Sequence, residues 1–165
     1  MRFLLLVFAV FAAQSLAADQ STDFYTEKSQ PETYCLAQNI YYEARGSTFA
    51  DKVAVADVVL NRVRDTRFPN TICTVVKQSK LTDAGVIRLD QCQFSWYCDG
   101  KSDDPEDARA WRESKAIAHQ IHMNNKFKGI TEGATHYHSL QVDPYWAEHM
   151  QFIGQIGSHV FYRGF

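Results

Sequence analysis

Four prolines and eight glycines in 165 residues are too few for a low-complexity or collagen-like chain. Neither sign of charge dominates: 17 Lys and Arg stand against 19 Asp and Glu, for a formal charge of -2. That balance lacks the basic footprint of a nucleic-acid binder. With 45% apolar residues it also excludes an intrinsically disordered chain. No Gly-rich phosphate loop, no G-x-S-x-G elbow and no closely spaced Cys pair of the C-x2-4-C type occurs. Beyond residue 18 no apolar stretch is long enough to span a bilayer, which takes about 20 residues.

The one long apolar run is at the start. Arg2 precedes Phe3 to Ala13, 11 apolar residues in succession, and Ser15-Leu-Ala17 offers small residues for cleavage after Ala17 or Ala18. Residues 1–18 therefore read as a secretory signal peptide, too short for a transmembrane anchor, and the protein as exported, to the periplasm or beyond the cell. Residues 19–33 are a polar tail, and residues 34–165 make one domain.

All four cysteines, Cys35, Cys73, Cys92 and Cys98, follow the signal. An even number in an exported chain suggests disulfides, with three possible connectivities. Cys92 and Cys98 enclose five residues and meet cheaply, which leaves Cys35 with Cys73. Free buried thiols and a metal site are the alternatives.

Helical periodicity appears over 31–45, with Pro31 at the first helical position and Gly46 as the stop. It continues over 48–63, capped by Ser47 or Thr48 and apolar on more than one face, so this helix is central. A short helix follows over 71–78. A long one runs over 104–125, with Asp104 as N-cap and Pro105 behind it. Residues 79–104 show no sustained period and read as a functional loop. Residues 134–139 and 156–163 alternate and are aromatic or β-branched, so they read as strands. The class is α+β, helices followed by a small antiparallel sheet.

Three groups of residues carry chemical promise. Glu43 stands in the last turn of the first helix, where the negative end of the dipole disfavours a carboxylate and raises its pKa. Tyr41 and Tyr42 restrict water there, and Arg45 opposes the shift by pairing with the ionised form. A carboxylic acid kept protonated is what glycosidic cleavage needs as a general acid. In Cys92-Gln-Phe-Ser-Trp-Tyr-Cys98 a short disulfide loop holds Gln93, Ser95 and Trp96, and such aromatic and amide groups bind sugars; equally, Phe94 and Trp96 could be core. In Thr135-His-Tyr-His138, alternation places His136 and His138 on one face, around Tyr137. With Asp143, Glu148 or His149 these histidines form a weak candidate zinc set. Cleft wall or structural packing suits them better, so no metal or other cofactor is expected.

Cys35-Leu-Ala-Gln-Asn-Ile-Tyr-Tyr-Glu-Ala-Arg-Gly46 followed by Val53-Ala-Val-Ala-Asp-Val-Val-Leu-Asn-Arg-Val63 resembles the opening of the cell-wall hydrolase family that includes the spore-cortex-lytic enzymes. Arg67-Phe-Pro-Asn-Thr-Ile-Cys73, Cys92-Gln-Phe-Ser-Trp96, Ala134-Thr-His-Tyr-His138 and Ile156-Gly-Ser-His-Val-Phe-Tyr-Arg163 extend the resemblance, in order, over residues 34–163. The Cys-containing form is similar to members from Gram-negative bacteria and their phages. Ser47 stands where the family often has an acidic residue, and residues 19–33 are too short for the separate peptidoglycan-binding module of the spore enzymes. The resemblance implies a lysozyme-like, lytic-transglycosylase-like single domain acting on peptidoglycan glycan strands as a monomer, with Glu43 as the catalytic acid. Gln93, Ser95, Trp96, His136, Tyr137 and His138 are then expected along the cleft. Hydrolysis in place of transglycosylation would require a second carboxylate, for which Asp90, Asp99 and Asp143 are candidates. A zinc amidase or peptidase using the histidines and a non-catalytic peptidoglycan-binding protein are the other two readings.

Overall fold

In the computed structural model, residues 26–165 are described. The expected signal peptide and residues 19–25 of the polar tail lie outside them, while the end of that tail, from Pro31, belongs to the first helix. The elements run α1 (Pro31–Ala44), α2 (Phe49–Arg64), α3 (Ile72–Val76), β1 (Ser79–Leu81), β2 (Ile87–Cys92), a 3-10 turn (Ser95–Cys98), α4 (Ala108–His122), β3 (His136–Ser139), a second 3-10 turn (Ala147–His149), β4 (Gln151–Ile156) and β5 (His159–Arg163).

Helix α2 is the axis of the molecule. It is buried from Asp51 to Arg62 on all sides, which is why its apolar residues show no single stripe. One side of it joins α1, α3 and α4 in the larger core, with Leu36, Ile40, Val59, Val75, Phe94, Trp96, Ile117 and Ile121. The other side, through Ala54 and Val58, meets Ala134 and Phe161 from the sheet region. Each such fully buried Val, Leu or Ile contributes about 1.5–3 kcal/mol relative to exposure. Thr48 caps α2 in a reciprocal box: its side chain accepts from the Asp51 amide at 3.3 Å, and Asp51 Oδ2 accepts from the Thr48 amide at 3.1 Å.

Four expectations need correction. Gly46 does not end α1 in a left-handed turn: Arg45 keeps helical angles (φ -54°), and the Ser47 amide donates to the Ala44 carbonyl at 2.9 Å. Helix α4 begins at Ala108, not 104. Its N-cap is Asp107, whose Oδ1 accepts from the Arg109 and Ala110 amides. The Asp107 amide itself donates to the buried Tyr41 hydroxyl at 3.0 Å, and that contact with α1 sets the starting point. Residues 79–104 are not one loop but an antiparallel hairpin, β1 with β2, followed by the turn that carries Ser95. The sheet near the C-terminus has three strands in the order β3-β5-β4, all antiparallel, so β4 adds an edge that periodicity does not show.

Cys35 pairs with Cys73, joining α1 to α3, and Cys92 pairs with Cys98 across the turn after β2. No helix among the described residues is long and apolar enough to cross a membrane.

Candidate active site

The pleat of β3 sorts its side chains. Tyr137 lies opposite Phe161 of β5 and packs with Phe161 and His159 on the face turned to α2. His136 and His138 take the other face, against Trp146 and Tyr162. Toward α2 and α1, the Tyr137 hydroxyl donates to Oε2 of Glu43 at 3.0 Å. One residue of the expected set is thus bonded to Glu43, while the two flanking histidines point away from it.

Glu43 is half-buried, one residue before the end of α1. Burial pushes its carboxyl up from the ordinary value, against a weaker downward pull from the Tyr137 hydroxyl and the charges of His159 and Arg62. None of these influences is a carboxylate. Burial holds the Tyr137 phenol well above its ordinary value, helped by the Glu43 charge, so Tyr137 stays a proton-bearing donor.

Arg45 does not pair with Glu43 as expected. It is exposed, lies over the Tyr41 ring, and donates to the Tyr41 hydroxyl at 3.0 Å. The arginine that acts on Glu43 is instead Arg62, the last buried residue of α2, two residues before the helix ends. Its Nε donates to the Thr135 carbonyl at 2.7 Å, and its guanidinium lies over the Phe68 and Phe94 rings. Burial lowers the Arg62 pKa to about 10, so it remains a cation at neutral pH.

Gln93 is exposed at its outer side, and with its amide oxygen turned inward it accepts from Arg62 Nη1 and Nη2 at 3.2 and 3.3 Å. It also lines a polar pocket of about 420 Å³ with Gln78, Ser79 and Asp90. Ser95 is exposed at the start of its turn. Trp96 is a core residue, 7% exposed, whose indole N–H donates to Asn39 Oδ1 at 3.2 Å. The partly exposed Tyr42 stacks on it at 4.7 Å, so a ring face for a ligand here belongs to Tyr42.

His136 and His138 are engaged within the outer aromatic cluster. His138 Nδ1 donates to the Ser139 carbonyl at 2.9 Å and its Nε2 accepts from the Tyr162 hydroxyl at 3.1 Å. Burial, with Arg62 and Arg67 nearby, lowers the His136 pKa to about 4 and keeps it neutral. Among the described residues no three His, Cys, Asp or Glu side chains gather as a metal site. Of the candidate second carboxylates, Asp99 pairs with Lys101 at 3.3 Å, and Asp90 and Asp143 are exposed.

Sequence reasoning missed Arg62, Asp51 and His159. Asp51 Oδ1 accepts from His159 Nδ1 at 2.8 Å and from the Ser158 amide at 2.8 Å, and the pair is buried. Burial alone would raise the Asp51 carboxyl, but the donors from Thr48, His159 and Ser158 prevail and lower it to about 2. The pattern T-x-x-D at 48–51 is the signal that finds Asp51 as a cap; nothing local marks its second role.

A family model described as Cell Wall Hydrolase matches residues 46–162, a span that begins just after Glu43. The chain is 44% identical over 48 residues to a spore cortex-lytic enzyme of Bacillus cereus, covering 29% of this chain and 18% of that protein. It is 46% identical over 41 residues to the spore cortex-lytic enzyme of Bacillus subtilis strain 168, covering 25% and 13%. The chain thus matches less than a fifth of the length of these curated relatives. Among solved structures, the catalytic domain of the Bacillus cereus SleB protein superposes with a TM-score of 0.59 at 23% identity, over 88% of this chain and 99% of that one. The catalytic domain of the germination-specific lytic transglycosylase SleB from Bacillus anthracis does so with a TM-score of 0.56 at 26% identity, over 86% and 98%. The α+β fold, helices with small antiparallel sheets, is the one these domains share.

Proposed function

Because this chain belongs to the cell wall hydrolase family, we propose that it is an exported enzyme that cleaves peptidoglycan glycan strands at the β-1,4 bond between N-acetylmuramic acid and N-acetylglucosamine, by lytic transglycosylation. Residues 34–165 form the catalytic domain, working as a monomer behind the signal peptide of 1–18 and the tail of 19–33. The relatives named spore cortex-lytic enzyme and lytic transglycosylase support the substrate class.

The observation that carries the reading is the state of Glu43: a half-buried carboxyl, raised by burial, with no carboxylate among the groups that act on it. Protonated Glu43 gives its proton to the bridging oxygen as the glycosidic C–O bond breaks, and positive charge develops at the anomeric carbon of the muramoyl sugar. The resulting Glu43 carboxylate then takes the proton of that sugar's own C6 hydroxyl. The hydroxyl oxygen attacks the anomeric carbon and closes a 1,6-anhydro ring. The proton lent is returned, no water is consumed, and one carboxyl serves both steps. A hydrolase of the common type needs a partner carboxylate within about 5–9.5 Å. Tyr42, Gln93 and Ser95 are the partly or fully exposed groups near this end of the molecule that suit a sugar's faces, amides and hydroxyls.

The test is digestion of purified sacculi with wild type and Glu43→Gln, followed by mass spectrometry of the products. Anhydromuropeptides from wild type, and loss of product by at least about a thousandfold with Glu43→Gln, are expected. Reducing-end products without anhydro forms would replace transglycosylation by hydrolysis. Cleaved stem peptides and sensitivity to chelators would replace it by a zinc amidase or peptidase. Binding to sacculi without products would make the protein a non-catalytic binder.

A further inference from the structure

A carboxyl and an imidazole meet Tyr137 from two different elements, and a second carboxylate on a third element holds the imidazole. Its hydroxyl meets Glu43 of α1 at 3.0 Å, and its ring meets the edge of His159 of β5 at a centroid distance of 5.5 Å and 87°. His159 in turn is fixed by Asp51 of α2, which is 1% exposed and can only accept, so the hydrogen on Nδ1 of His159 is committed to that bond. Phe161 closes the remaining side of the Tyr137 ring at 5.8 Å. The Tyr137 ring therefore has one place to be, and its hydroxyl one acceptor among the described residues.

We propose that the buried Asp51–His159 pair is a positioning unit which acts through Tyr137: it holds the phenol so that its hydrogen occupies Oε2 of Glu43, leaving Oε1 as the oxygen that carries and delivers the proton. This inference rests on Glu43 being the acid. A carboxyl group has two chemically equal oxygens, and a general acid is useful only when the proton stands on the one facing the leaving group. A donor locked on Oε2 removes the ambiguity in both directions, since the same Oε1 must later receive the C6 hydroxyl proton. The charged and titratable groups facing this unit are Arg62 from α2 beside Glu43 and Tyr137, and Glu43 itself beside His159. Asp51 and His159 are positioning residues: neither touches the scissile bond in this scheme.

The experiment is a double-mutant cycle on solubilised glycan strands, with kcat, KM and the pH profile read for Tyr137→Phe, His159→Ala and the combination. Tyr137→Phe loses one hydrogen bond to the carboxylate that forms as Glu43 gives up its proton, so kcat falls about tenfold with KM little changed. Because that bond favours the ionised carboxylate, its loss also moves the alkaline limb of the profile to higher pH. His159→Ala lowers kcat in the wild-type background but causes no further fall when Tyr137 is already Phe. Multiplying effects in the combination, or a Tyr137→Phe profile whose alkaline limb stays in place, overturn the proposal. Thermal melts accompany each variant, and His159→Gln, which keeps an N–H for Asp51, replaces His159→Ala in the cycle if the latter does not fold. An active Glu43→Gln variant would instead remove the premise that Glu43 is the acid, a result separate from any outcome of the cycle.

Discussion

At Glu43 the burial that suits an acid also has a thermodynamic signature. A carboxyl whose pKa is raised in the folded state adds stability that is fully present below its unfolded value and is lost as pH rises through its folded value. The direction at Glu43 is upward, with burial as the leading cause. Glu43→Gln should therefore melt at a higher temperature than wild type at pH 7, and the two should converge below the ordinary glutamate pKa. Melting curves across pH 3 to 8 check this; a variant less stable than wild type at pH 7 contradicts it. The position of Glu43 at a helix end is legible in the sequence, because a helix stop can be read from composition. Its partner cation is not. Arg45 is adjacent in sequence but faces Tyr41, while Arg62 reaches the site because α2 crosses behind α1. Long side chains pair by direction in space, and an isolated helix does not state where its neighbour lies.

Among the elements, those with a substantial buried surface were legible and those largely exposed or irregular were not. Strand β5 shows its alternation because His159 and Phe161 enter the core while Val160 and Tyr162 between and beside them do not. Strand β2 is exposed along almost its whole length, so no core imposes a period, and β4 carries a register shift between Phe152 and Gly154 that breaks one. The turn between β4 and β5 is where an element meets the site. Gly157 has φ +55°, and a Cβ there would stand 2.1 Å from Asp51 Oδ2. The turn must be bare so that Ser158 and His159 can close over Asp51. Gly157→Ala should cost more than about 2 kcal/mol, combining left-handed strain with displacement of the carboxylate. Gly85→Ala, at φ +76° with open space around it, should cost only about 1 kcal/mol. Urea unfolding of the two variants compares them directly; equal costs would mean that the turn does not press on Asp51.

For the molecule as a whole, the covalent link between Cys35 and Cys73 spans 38 residues and ties α1, which carries Glu43, to α3. Chain-entropy arithmetic gives that closure about 4 kcal/mol, against about 2–3 kcal/mol for the six-residue loop of Cys92 and Cys98. Replacing both Cys35 and Cys73 by Ala should thus lower the free energy of unfolding more than replacing Cys92 and Cys98; the reverse order, in urea titrations of both variants, would contradict the model. The bond from Tyr137 to Glu43 closes 94 residues of chain, and that from His159 to Asp51 closes 108. Synthesis runs from the N-terminus, so the carboxyl emerges first and the groups that define it emerge last. Until β3 and β5 dock, Glu43 has neither the Tyr137 hydroxyl on its Oε2 nor His159 beside it. Such long-range closure is slow in folding, and under the proposed function it makes the acid self-timed: the Tyr137–Glu43 pair is assembled only once the C-terminal strands are in place.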